Sequence, residues 1–416
     1  MTALAARPLV PGTVTPPRAS AAPIPAPRIP TPRIPAPASA ASALPATGAW
    51  RPGDPVAERR FAEVGDLLLE SGAVLPDVRI AYETWGELAP DASNAVLVLH
   101  ALTGDAHVRG PAGPGQPSAG WWEDLVGPGR PIDTDRWFVV APNVLGGCQG
   151  TTGPASDSPD GSPWAARFPA LTPRDQVAAE AALMDSLGIG RWALVVGASM
   201  GGMRALEWGV THPGAVERLA VIASCAVASA DQIAWNSAQA AAIRACEGFA
   251  GGDYYDAPPG LGPHEGLGVA RRIAHITYRT AGELEDRFAN RLQDDGASAR
   301  DGIHQVASYL DHHADKLARR FDANTYLVLL RSMDVHDVGR DRGGVTEALA
   351  RVRARTLVIA VDTDRLFPTS MSRTIADGID GARFVEIHSP VGHDGFLVRS
   401  PALEGGVRSL LETPAG

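Results

Sequence analysis

The stretch Ala193-Leu-Val-Val-Gly-Ala-Ser-Met-Gly-Gly-Met-Arg-Ala-Leu-Glu207 decides the fold. Ala193 to Val196 are apolar and partly β-branched, the composition of a buried strand, and Met200 to His212 are apolar at helical spacing. Between them stands Gly197-Ala198-Ser199-Met200-Gly201, a G-x-S-x-G turn. In such a turn a serine sits on a strained bend from strand to helix, and the glycines let the backbone fold back on itself. With 45 glycines in 416 residues the letters alone carry little, since a glycine-rich turn that merely packs a helix on a sheet would show them too. The context separates the two readings: an apolar strand enters, a small-residue helix leaves, and a third glycine, Gly202, lets them pack closely.

Working outward, the strands on either side of this turn read as one parallel sheet. Leu67 to Glu70 and Val78 to Thr84 read as an early hairpin, and Ala95 to Leu99 as a buried parallel strand ending in His100-Ala-Leu-Thr-Gly104. Phe138 to Pro142 is a similar run. Thr172, with Pro173 and Asp175, caps a helix that runs to Gly188. After the central turn comes a strand at Leu219 to Ala223, and strand–helix alternation of this kind means an α/β fold with a mostly parallel sheet covered on both faces. The alternation then stops. Residues 231–351 are helical in composition and read as a cap inserted into the sheet domain, which spans 49–230 and resumes at 352–416 with strands near Leu357 to Val361 and Arg383 to Ile387 and a closing helix near Leu403. Residues 1–48 are rich in Ala and Pro, with the repeat Pro27-Arg28-Ile29-Pro30 and Pro32-Arg33-Ile34-Pro35, and read as a disordered tail.

Composition narrows the function. A net charge of −10 disfavours nucleic acid or an anionic membrane as partner. No run approaches the roughly 18 apolar residues of a transmembrane helix, and no signal-peptide core is present. Cys148, Cys225 and Cys246 are an odd number without metal-ligand spacing, which points to a reducing compartment and a cytoplasmic protein that holds no metal.

A serine hydroxyl needs a histidine base, and the base needs a carboxylate to orient it. In this architecture the chain order is serine, acid, histidine. Asp362 and Asp364 both follow the strand Leu357 to Val361, and spacing does not choose between them; His393 follows the last strand in Gly392-His-Asp-Gly-Phe396. The His312-His313 pair beside Asp311 has no third ligand at a metal spacing and reads as a solvated helix face. The amides of Met200, after the serine, and Leu102, in the turn after the earlier strand, are the candidate oxyanion donors.

With these residues in hand, the chain from about Trp50 resembles the homoserine O-acetyltransferase family of the α/β-hydrolase fold. The matching segments are His100-Ala-Leu-Thr-Gly-Asp-Ala-His107, Asn143-Val-Leu-Gly-Gly-Cys-Gln-Gly150, Gly197-Ala-Ser-Met-Gly-Gly-Met203, Ala270-Arg-Arg-Ile-Ala-His-Ile-Thr-Tyr-Arg279, Arg320-Phe-Asp-Ala-Asn324, His336-Asp-Val-Gly-Arg340, Asp364-Arg-Leu-Phe-Pro368 and Gly392-His-Asp-Gly-Phe-Leu397. The resemblance implies an α/β-hydrolase fold with a helical lid, Ser199 as nucleophile, Asp364 rather than Asp362 as the orienting acid, and His393 as base. It also implies that Arg271 and Asp394 bind an amino-acid substrate, with Tyr278 a further candidate for that pocket. The implied reaction passes the acetyl group of acetyl-CoA, a co-substrate rather than a bound cofactor, through an acyl-serine to the hydroxyl of L-homoserine, a step towards methionine. The implied assembly is a homodimer through the cap. The residues alone also admit a related acyltransferase with serine or another alcohol as acceptor or succinyl-CoA as donor, and a plain serine esterase. Asp341 departs from the family, which usually has glycine there.

Overall fold

The computed structural model describes residues 43–293 and 301–413. Among them, eight strands form one sheet in the order β1-β2-β4-β3-β5-β6-β7-β8. These are β1 (Arg60–Leu68), β2 (Val74–Trp85), β3 (Ala95–Leu99), β4 (Phe138–Pro142), β5 (Leu194–Ala198), β6 (Arg218–Ile222), β7 (Arg355–Val361) and β8 (Arg383–Ile387). The strands from β4 to β8 run parallel, while β2 joins β4, and β1 joins β2, in antiparallel pairing.

The two-residue period of each central strand explains its continuous apolar sequence. Leu97, Val195, Val221 and Val358 point into one core, while Val96, Val196, Ile222 and Ile359 point into the other on the opposite face. Helices α1 (Pro173–Ser186) and α2 (Met200–Thr211) cover the first face. Thr172 caps α1 with a reciprocal bond to Asp175, as the sequence indicates, and the helix ends at Ser186, two residues before the expected Gly188.

The first hairpin differs from expectation. Its outer strand is Arg60–Leu68 rather than Leu67 to Glu70, and it is mostly solvent-exposed on an edge. Register shifts around Gly65 break the alternation that would have revealed it.

Between β6 and β7 the chain builds α3 (Ala230–Ala245), α4 (His264–Tyr278), α5 (Ala281–Phe288), α6 (Gln305–Ala318), α7 (Ala323–Asp334) and α8 (Val345–Leu349). Their shared core, which includes Tyr254, Leu267, Tyr326 and Leu330, also takes in Leu102, Met200 and Met203 from the sheet domain. The cap therefore sits directly over the central turn. After β7, α9 (Thr369–Gly378) and α10 (Pro401–Glu412) complete the layers.

Most of the proline-rich segment, residues 1–42, lies outside the described residues. Residues 44–48, which the sequence groups with it, bond to the cap: the Gly260 amide donates to the Leu44 carbonyl, and the Gly48 amide to the Phe321 carbonyl.

Candidate active site

In the sheet order, β3 is followed in sequence by β4 on one side and by β5 on the other. A crevice opens at the carboxyl ends of the strands where the order reverses, which is where open α/β sheets bind ligands. The two loops that leave β3 and β5 there carry Leu102 and Ser199.

Ser199 has φ 56° and ψ −124°, a backbone conformation that a side-chain-bearing residue occupies only under strain. The bend is held on both sides, since the Ser199 amide donates to the Ile222 carbonyl at 2.9 Å and Ser224 Oγ donates to the Ser199 carbonyl at 2.9 Å. Glycine at 197 and 201 is a steric requirement: a Cβ on Gly197 would strike the Gly201 carbonyl, and one on Gly201 would strike the Leu99 carbonyl at the end of β3. Both contacts are what the sharp turn demands.

His393 Nε2 lies 2.9 Å from Ser199 Oγ, and His393 Nδ1 lies 2.6 Å from Asp364 Oδ2. The other Asp364 oxygen accepts the amides of Leu366 at 2.9 Å and Phe367 at 2.8 Å, so the carboxylate is buried but fully bonded. Asp362 turns elsewhere, to the exposed His388 at 2.6 Å and the Ser389 amide at 3.1 Å. The choice that spacing left open is thereby made by geometry. Burial pushes the His393 imidazole down, but the charge and hydrogen bond of Asp364 outweigh it, with Asp394 helping, and the pKa ends above the ordinary histidine value.

Met200 is the first residue of α2, where the helix's own pattern leaves the amide without an acceptor. Leu102 and Ser199 line one crevice together with Gln232, Asn236, Tyr278 and Phe367. The turn bearing Leu102 is tied by His100, whose Nδ1 donates to the Ala101 carbonyl at 2.8 Å and whose Nε2 accepts the Val144 amide at 3.0 Å. Burial and the nearby Arg204 push His100 down to about 3, so this ring is neutral and keeps one donor and one acceptor nitrogen.

Arg271 reaches the same region from α4. It donates to Thr103 Oγ1 at 3.3 Å and lies over the Tyr278 ring at 5.6 Å. Arg272 instead pairs with Asp311 at the surface, so only the first arginine of the pair faces the crevice side. Burial pushes the Tyr278 phenol up to about 12, which keeps it a neutral hydrogen-bonding group, and its ring lies 5.7 Å from that of His393. Asp394 pairs with Arg279 at 3.3 Å, a partner the sequence did not indicate.

Gln232, Asn236 and Gln239, three amides on one stripe of α3, were missed by sequence reasoning. Their only signal is polar residues recurring on a helix that also packs against the cap core. The His312-His313 pair is half as expected: His312 is exposed, whereas His313 is partly buried and stacks on His275 at 4.1 Å. Among the described residues no cluster of potential metal ligands is found.

Comparison with known proteins places this geometry among relatives. Residues 94–400 match the family model for the α/β hydrolase fold. A homoserine O-acetyltransferase of Clavibacter michiganensis subsp. michiganensis is 60% identical over 376 residues, covering 89% of this chain and 97% of that protein. Among solved structures, a homoserine O-acetyltransferase from Bacillus anthracis superposes with a TM-score of 0.78 at 25% identity, covering 86% of this chain and 98% of that one. Esterase E22 superposes with a TM-score of 0.77 at 27% identity, covering 85% and 100% respectively.

Proposed function

The chain belongs to the homoserine O-acetyltransferase family and transfers an acetyl group to the hydroxyl of homoserine, and from that premise we propose the residues and steps by which it does so. Ser199 is the nucleophile, His393 the base and Asp364 the group that orients the imidazole. The observation that carries this is the unbroken chain from Ser199 Oγ through both nitrogens of His393 to Asp364, at 2.9 and 2.6 Å.

The acyl donor is acetyl-CoA, a co-substrate rather than a resident cofactor. Ser199 Oγ attacks the thioester carbon while His393 Nε2 takes its proton, and the carbonyl oxygen gathers negative charge that the amides of Leu102 and Met200 bond. The C–S bond then breaks, the His393 proton passes to the departing sulfur, and an acetyl-serine remains. In the second half His393 removes the proton from the side-chain hydroxyl of L-homoserine. The hydroxyl oxygen attacks the acetyl carbon, and Ser199 Oγ leaves with the proton from His393, giving O-acetyl-L-homoserine.

Arg271 binds the amino-acid carboxylate, and Asp394 its ammonium group or its side-chain hydroxyl. Tyr278 closes the pocket as a neutral donor between Arg271 and His393. Water is a competing nucleophile for the acetyl-serine, and the cap over the crevice, together with a positioned acceptor, favours transfer over hydrolysis. The same reading makes the protein a cytoplasmic homodimer. Free thiols at Cys148, Cys225 and Cys246 fit a reducing compartment, and exposed Ile233, Val269 and Ile276 on α3 and α4 fit a cap-to-cap contact.

The test is mass spectrometry of the protein mixed with acetyl-CoA. An acetyl adduct on Ser199 that disappears on adding homoserine, with O-acetylhomoserine formed in equal amount, is the expected result. Acetate released at the same rate with and without homoserine would overturn the transfer mechanism in favour of an esterase.

A further inference from the structure

Arg204 stands one turn into α2 and has no exposed surface, and its partner Glu180 on α1 is equally buried. One guanidinium nitrogen, Nη1, bonds Glu180; the other, Nη2, donates to the His100 carbonyl at 2.7 Å. The second Glu180 oxygen accepts Trp208 Nε1 at 2.7 Å. Arg204 Nε has no partner among the described residues, so its two terminal nitrogens alone set the orientation of the group.

Helix-to-helix packing does not call for this pair. Two apolar side chains of similar volume would hold α1 to α2 at least as well, because a buried ion pair gives up the hydration of both charges. What apolar side chains cannot supply is a rigid donor aimed at a carbonyl 104 residues earlier in the chain. That carbonyl begins the turn His100-Ala101-Leu102. The other face of the turn is held by the His100 ring, through its bonds to the Ala101 carbonyl and the Val144 amide. Gly201 of α2 also presses against the His100 carbonyl, leaving no room for a side chain.

Met200 and Arg204 ride on the same helix, and Leu102 lies two residues beyond the carbonyl that Arg204 grips. We propose that Arg204, held in place by Glu180, is a positioning residue for acyl transfer: it fixes the Leu102 amide relative to the Met200 amide and so sets the spacing of the two donors that receive the oxyanion. Glu180 keeps the guanidinium charged and turned, and the turn cannot drift away from α2 while both bonds hold. This inference rests on the assignment of those two amides as oxyanion donors. Losing one such donor lowers kcat by about 10² to 10³-fold, and a displacement of about 1 Å has a comparable effect.

The experiment replaces both members of the pair, Glu180→Met together with Arg204→Met, so that no unpaired charge stays buried. The expected result is a cooperatively folded protein whose kcat falls about 100-fold while KM for homoserine stays within threefold. Its affinity for a small alkylboronic acid, which forms a tetrahedral anion on Ser199, falls by the same factor as kcat. A purely structural role would leave boronate affinity and kcat uncoupled. A folded double variant with kcat within threefold of the parent overturns the proposal. If the double variant does not fold, Arg204→Lys decides, since lysine keeps the charge but cannot span Glu180 and the His100 carbonyl: a 10-fold or greater loss of kcat supports the proposal, and a smaller one overturns it. A parent enzyme that binds the boronic acid no better than the corresponding alcohol would overturn the oxyanion assignment itself, a result distinct from failure of the Arg204 claim alone.

Discussion

Phe367 lies flat on the imidazole of His393, with ring centroids 4.9 Å apart and planes 18° from parallel. The same residue's amide donates to Asp364 Oδ1 at 2.8 Å, so one residue steadies both the base and the acid that orients it. Phe396 meets the imidazole edge-on from another side at 5.3 Å. Phe367→Leu keeps most of the volume and the amide but removes the flat face. A stability loss of about 1.5 kcal/mol or less is expected by denaturant titration. A larger relative fall is expected in kcat, with KM retained, because the ring is then free to turn away from Ser199.

The pH profile follows from His393. Burial lowers its pKa, but Asp364 raises it more, with a net shift above the ordinary value. The base must be neutral to take the Ser199 proton, so activity is present above that pKa and lost as pH falls through it. The acid limb of kcat/KM is therefore expected above about pH 6.5. Asp364→Asn removes the raising charge, shifts the limb towards acid, and lowers kcat by about 10⁴-fold. Asp362→Asn, which loses a bond to the exposed His388, leaves the limb where it was. A parent limb below pH 6, or equal losses in the two variants, would contradict the assignment.

Arg271 bonds only the Thr103 hydroxyl among the described hydrogen bonds and ion pairs, and its Nε has no partner. A guanidinium so placed is available to a carboxylate. Arg271→Met is expected to raise KM for homoserine about 10- to 100-fold, the equivalent of roughly 1.5–3 kcal/mol for a charged hydrogen bond. The burst rate of acetyl-serine formation from acetyl-CoA stays at the parent value. A rapid-quench measurement in which acylation slows as much as transfer would show that Arg271 serves the donor instead.

What the sequence disclosed and what it concealed divide along a physical line. The central strands were legible because burial on both faces makes them continuously apolar, and Ser199 and His393 were legible because glycine-flanked turns at strand ends are chemically distinctive. The outer strand Arg60–Leu68 was not, since an exposed, bulged edge keeps no clean alternation. Asp362 and Asp364 leave the same strand end, so spacing does not tell them apart; the family resemblance favours Asp364, and it is Asp364 that the folded loop sets against His393. Asp394 was singled out, but its pairing with Arg279 joins the loop after β8 to the end of α4, a contact that no local pattern encodes. Asp341, where the family usually has glycine, takes φ 59°, a left-handed conformation that aspartate tolerates better than most side chains. The buried pair Glu180 and Arg204 was not singled out, because charge in a sequence gives no sign of burial.

Ser199 stores backbone strain that two substitutions can expose. Its φ of 56° with ψ of −124° lies outside the regions that L-residues populate freely, and such residues carry about 1–3 kcal/mol of strain. Ser199→Ala and Ser199→Gly both remove the hydroxyl that bonds His393, so both abolish acyl transfer and both lose that one hydrogen bond. They differ in the Cβ. Glycine reaches this conformation without penalty, but it also adds about 0.5–1 kcal/mol of unfolded-state freedom. With strain the larger contribution, Ser199→Gly is expected to be more stable than Ser199→Ala by about 1 kcal/mol in urea titrations at equal slope. An alanine variant more stable than the glycine one by about 0.5–1 kcal/mol, the unfolded-state cost of glycine, would mean that the turn carries no strain, and that the nucleophile's exposure comes from the surrounding hydrogen bonds alone.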